Sequence, residues 1–146
     1  MCGAHATVRG LLGEIVARAE SDRHIVVDME AGLEHLSRGT GRHMSRVLAV
    51  VEPYYRSMET ARRIAELAHE LGVVRVQAVS NKIRNDADRQ AVTAFCAAHG
   101  LDIAGEIPYD ASLAEAERTG RAPIEASPDA PAVASIRQLA QTILDS

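Results

Sequence analysis

Short, continuously apolar runs alternate along this chain with longer stretches whose apolar residues recur every three to four positions. A strand that is apolar without a polar/nonpolar alternation needs cover on both faces, and helices between strands supply that cover. The pattern therefore predicts an α/β fold: an open, mainly parallel sheet with helices on both faces. The 146 residues fit a single domain spanning 1–146.

Val8, Leu11, Leu12, Ile15, Val16 and Ala19 predict an amphipathic helix over about residues 4–20. Ile25-Val26-Val27 reads as a first strand ending at Asp28, followed by a glycine-containing loop, Met29 to Gly41. Val47–Val51 reads as a second strand, stopped by Pro53. Ser57 is placed to cap a helix with Ala61, Ile64, Ala65, Ala68 and Leu71 on one face, and Gly72 ends it. Val73–Ser80 is the third strand. Asp86 is expected to cap a helix running through Val92, Phe95 and Ala98 to Gly100. Ile103–Ile107 is the fourth strand, and Asp110 opens a short helix ending near Gly120. A connector with Pro123, Pro128 and Pro131 leads to a last helix carrying Val133, Ile136, Leu139, Ala140 and Ile143.

Composition excludes several classes. Sixteen basic and twenty acidic residues are interspersed, giving a net charge of −4 with no basic stripe for nucleic acid. Trp is absent and aromatics make up 3%. No run approaches the ~20 apolar residues of a membrane span, and no signal peptide opens the chain. Two cysteines, Cys2 and Cys96, form no disulfide framework, which points to a reducing cytoplasm. Cys96, beside Phe95 on an apolar helix face, reads as core.

In open α/β sheets ligands bind beyond the carboxyl ends of the strands. That rule singles out Asp28–Gly32, Glu52–Tyr54, Asn81–Ile83 and Pro108–Asp110. The Asp28 carboxylate at a strand tip can hold Mg²⁺ beside a nucleotide phosphate, or be a solvated turn residue. Asn81, followed by Lys82, has an amide that matches the donor and acceptor edges of a purine; a plain turn is the other reading. Pro108 and Tyr109 could line a base pocket, whereas helix capping alone accounts for the Asp110 side chain. Cys2 and His5 offer a thiol and an imidazole, half of a tetrahedral metal site. Glu34, His35 and His43 could ligate a metal or act as bases, although most loop histidines do neither. Gly39-Thr40-Gly41 is a weak phosphate-loop hint. Lys82 is the only lysine, so no Gly-x-x-x-x-Gly-Lys-Ser/Thr phosphate loop exists in this sequence.

Read together, these segments resemble the C-terminal part of the MinD/ParA-like ATPases, and within them the CooC-type accessory ATPases linked to nickel insertion into carbon monoxide dehydrogenase. The resemblance rests on Cys2–Arg9, on Asp28-Met29-Glu30-Ala31-Gly32 and its continuation to Thr40, on Val51-Glu52-Pro53 with Ser57, on Ser80-Asn81-Lys82-Ile83-Arg84, and on Gly105–Asp110. It implies that Asp28 is the acid at the Walker B strand tip, near Mg²⁺. Glu30 to Gly32 would belong to the switch loop that senses the γ-phosphate. Asn81 would face the adenine of ATP or ADP, Lys82 beside it would belong to the same nucleotide site, and Pro108, Tyr109 and Asp110 would close the base pocket. Cys2 would be the second cysteine of a Cys-x-Cys pair at a dimer interface, a site for Ni²⁺ or Zn²⁺. A homodimer and a metalloenzyme client such as carbon monoxide dehydrogenase are the implied partners.

The family's phosphate loop, its signature lysine and the first cysteine of the pair are not in this sequence, so the chain is expected to begin midway through the family's sequence and to lack ATP turnover by itself. Two alternatives remain at this stage. One is a non-catalytic binding or interaction module that needs a partner chain. The other is a receiver-like domain, because Asp28 and Lys82 both follow strands; a receiver needs further acids after an earlier strand, and none precedes Ile25.

Overall fold

A computed structural model describes residues 24–29 and 44–145. Its elements, in chain order, are β1 (Arg46–Val51), α1 (Tyr55–Glu70), β2 (Arg75–Ile83), α2 (Asp86–Ala98), β3 (Asp102–Pro108), α3 (Ala111–Arg118), α4 (Pro123–Ala126) and α5 (Pro131–Leu144). The strands form one open sheet in the order β1-β2-β3, and β2 and β3 run parallel. This is the expected α/β architecture.

The chain divides into two compact units, Met1–Val47 with Arg63–Val76, and Leu48–Arg62 with Gln77–Ser146. In the first, the main chain turns at Gly72 (φ +84°), a left-handed position that costs glycine little, and Val73 N–H closes the end of α1 by donating to Ala68 O at 2.9 Å. In the second, Ala78, Val79 and Ser80 are consecutive and all buried, so β2 is covered on both faces there. Val92 and Cys96, one turn apart, are the buried stripe of α2. Cys96 is core as expected, and burial pushes its thiol pKa up. α5 packs closely on β3: a Cβ built on Gly105 would stand 3.0 Å from Leu139 Cδ1, so any larger residue here requires that leucine to shift.

Several boundaries differ from expectation. Residues 24–29 carry no regular structure, and Val26 is 92% exposed. Ile25–Val27 is thus not a strand here; β-branched residues favour an extended chain, but a strand exists only through its hydrogen-bonded neighbour. β2 starts two residues late and continues through Asn81-Lys82-Ile83, which therefore lie within the strand end instead of after it. Its pairing with β3 slips between Ser80 and Ile83, and Lys82 adopts φ +57° at the slip. α1 begins at Tyr55, so Ser57 is not its cap; Ser57 Oγ instead accepts from Glu52 N–H at 3.0 Å and ties the helix back to the end of β1. Asn85, not Asp86, caps α2, accepting from Asp88 N–H at 2.9 Å. The proline-rich connector contains the single turn α4. The expected helix over 4–20, and Cys2, His5, Glu30, Gly32, Glu34, His35, Gly39–Gly41 and His43, lie outside the described residues.

Candidate functional site

Within the second unit, the carboxyl ends of all three strands open on one cleft of about 830 Å³. Its walls come from Glu52 and Tyr54 after β1, Asn81, Lys82 and Arg84 at the end of β2, and Pro108–Asp110 at the end of β3, with the α3–α4 turn on the far side. The volume falls within the ~300–1,000 Å³ of small-ligand sites.

The geometry at the mouth is set by a two-residue step on both sides. Lys82 Nζ pairs with Glu52 Oε1 at 2.6 Å, and two residues on, Arg84 Nη1 donates to Tyr54 Oη at 3.2 Å. The left-handed backbone at Lys82 is a conformation that non-glycine residues rarely adopt, and its N–H is held by the preceding Asn81 Oδ1 at 3.0 Å. Arg84 also lies over the Tyr109 ring, 4.5 Å from its centroid, while its own N–H donates to Asp88 Oδ2 at 3.0 Å. The main chain joins the two strand exits where Tyr109 N–H donates to Ile83 O at 2.9 Å.

The charges respond accordingly. The hydrogen bond to Glu52 raises the Lys82 pKa despite partial desolvation. The Tyr54 hydroxyl bond raises that of Arg84. Asp110 is held below its ordinary value, first by the Ser112 hydroxyl (2.7 Å) and then by the Ser112 N–H (2.9 Å), with Ala132 N–H adding a third donor at 3.4 Å. One carboxylate thus satisfies the N-termini of both α3 and α5. Its side chain is engaged structurally, as capping predicts.

Five expected binding residues, Asn81, Lys82, Pro108, Tyr109 and Asp110, come together in this cleft. Asp28 belongs to the other unit and is exposed. Glu52, Tyr54 and Arg84 complete the site. Glu52 and Tyr54 fall in a strand-exit segment that the sequence marks; Arg84 ends the Ser80–Arg84 stretch on which the resemblance rests, but nothing in the sequence marks it as a site residue. The amide of Asn81 keeps its NH₂ and a second oxygen lone pair for a ligand edge. Among the described residues no group of three or more His, Cys, Asp or Glu is gathered to hold a metal ion, and no helix is long and apolar enough to cross a membrane.

No family model matches the chain. It is 34% identical over 128 residues to the carbon monoxide dehydrogenase accessory protein CooC of Rhodospirillum rubrum, a match covering 88% of this chain and 47% of that protein. An uncharacterised ATP-binding protein of Methanocaldococcus jannaschii is 32% identical over 121 residues, 83% of this chain and 46% of the relative. The chain thus spans about half the length of the curated relatives it matches. In fold it resembles the MinD cell division protein of Aquifex aeolicus, with a TM-score of 0.77 and 22% identity over 97% of this chain and 61% of the other. A ParA family ATPase from Chlorobium tepidum gives a TM-score of 0.69 at 18% identity, over 95% of this chain and 56% of that one. In sequence the chain is thus a relative of CooC and of other ATP-binding proteins over about half their length, and it shares its fold with the MinD and ParA ATPases.

Proposed function

We propose that the cleft holds the base and ribose end of an adenine nucleotide, and that residues 1–146 are the C-terminal portion of one ATP-binding domain. The observation that carries this reading is the meeting of three strand exits, Glu52–Tyr54, Asn81–Arg84 and Pro108–Asp110, around one ligand-sized cleft. An asparagine amide pairs both an acceptor and a donor with the N6 and N7 edge of adenine. Calorimetry of this chain with ADP tests the reading. Asn81→Ala, which removes two hydrogen-bonding groups, is expected to weaken binding about tenfold. Wild-type affinity in that variant, or no ADP binding at all, would overturn it.

In the complete protein, Mg²⁺ beside Asp28 and the switch residues Glu30 to Gly32 would serve the phosphate end. Phosphoryl transfer is catalysed mainly by positioning and charge stabilisation of the phosphates. This sequence has no backbone cradle with a lysine for that purpose. The chain by itself therefore binds nucleotide without turning it over, as a module that works with a phosphate-loop segment or a partner chain. ATP hydrolysis above a mock-purified control, abolished by Asp28→Ala, would refute this.

The similarity to CooC supports a cytoplasmic role in maturing a metalloenzyme, carbon monoxide dehydrogenase or a comparable nickel client. In a homodimer, Cys2 from each protomer would supply thiolates to Ni²⁺ or Zn²⁺. Weak metal binding lost in Cys2→Ser and kept in Cys96→Ser is the expected result. Tight binding that survives Cys2→Ser excludes this site.

A further inference from the structure

The chain holds only four aromatic residues, three tyrosines and one phenylalanine. All three tyrosines are exposed, and two of them, Tyr54 and Tyr109, stand at the cleft with Arg84 between them. Arg84 is fixed at three points: Nη1 on the Tyr54 hydroxyl at 3.2 Å, its guanidinium carbon 4.5 Å from the Tyr109 centroid, and its N–H on Asp88 at 3.0 Å. An exposed contact of this kind contributes little to folding. It also leaves a planar cation and a half-exposed ring lining the cleft, open to a ligand.

We propose that Arg84 is a base-binding residue: with Tyr109 it forms a flat cationic stacking surface for the purine, and Tyr54 holds it in that orientation. The proposal rests on the nucleotide reading of the cleft and adds to it the group that recognises the base by stacking. Guanidinium planes and aromatic rings both stack on bases whatever the base's hydrogen-bonding edge, so Asn81 reads the edge while Arg84 and Tyr109 hold the face. Lysine cannot replace arginine there, since it lacks the plane. The tyrosine hydroxyl is the orienting element, because it engages one guanidinium nitrogen while the guanidinium carbon stays over the Tyr109 ring.

The test uses two probes, adenosine and ADP, on the chain and on three variants. With no tryptophan present, tyrosine emission comes from three residues, two of which line the cleft. The wild type is expected to show quenched tyrosine emission and a weakened adenine absorbance band on binding either probe. Arg84→Lys should weaken adenosine and ADP by the same factor, about 3–10-fold, despite keeping the charge. Tyr54→Phe, which removes one exposed oxygen and leaves the fold intact, should weaken both by a smaller common factor. Arg84→Ala at saturating adenosine should lose the absorbance change. ADP weakened with adenosine unchanged would make Arg84 a phosphate contact and overturn the proposal, as would wild-type affinity in both Arg84 variants. If Asn81→Ala weakens ADP and the Arg84 variants do not, only this inference falls; if the wild type binds neither probe, the nucleotide reading falls and this one with it.

Discussion

Asp110 and Lys82 both line the cleft but answer to pH in opposite directions. Asp110 has a folded-state pKa below its unfolded value, so its contribution to stability is complete above the ordinary carboxylate range and is lost as pH falls through the folded value. Asp110→Asn should therefore lower the urea midpoint more at about pH 7 than in acid, where the carboxyl is protonated. A midpoint difference that does not shrink on acidification would contradict this. Lys82 is raised above 10.5, so its smaller contribution is present below that value and fades as pH climbs past it. The pair with Glu52 is half-exposed, and salt should diminish its effect. Asn85→Ala should cost about 1 kcal/mol, read from the denaturation midpoint, by uncapping α2. The roles of Asp110 and Cys96 are legible in the sequence, because capping and apolar helix faces are local. Arg84 is not, since its partners Tyr54 and Tyr109 are brought to it only by the sheet.

Elements show the same division. Helices α2 and α5 are readable from their periodicity and α3 from its cap Asp110, although Asn85 and not Asp86 caps α2, and β1 and β3 are readable from apolar runs bounded by proline or glycine. The end of β2 is not, because Asn81 and Lys82 look like a turn and are drawn into the strand by pairing with β3. Ile25–Val27 fails the other way: the composition of a strand without a ladder. The tight seam of β3 on α5 yields a prediction at this scale. Gly105→Ala must push Leu139 aside and should destabilise the protein by about 1–3 kcal/mol in chemical denaturation. Adding Leu139→Ala should relieve the clash, so that the double variant is more stable than the sum of the two single losses. Strict additivity would mean that the contact is not what limits this position.

Across the whole molecule, the sheet gathers residues separated by more than fifty positions into one cleft, and only the rule that ligands sit beyond parallel strand ends makes that visible in advance. The sequence marks all three exit segments; how they close on one another depends on the register slip at Lys82 and on the reach of Asp110 to the second helix at Ala132, neither of which any local pattern encodes. These exits are proposed to form one nucleotide-binding surface. A ¹H–¹⁵N NMR titration of the chain with ADP tests it most directly. Saturable shifts concentrated at the amides of Glu52, Tyr54, Asn81–Arg84, Tyr109 and Asp110 are predicted. Shifts confined to other surfaces, or no saturable shift, would contradict it.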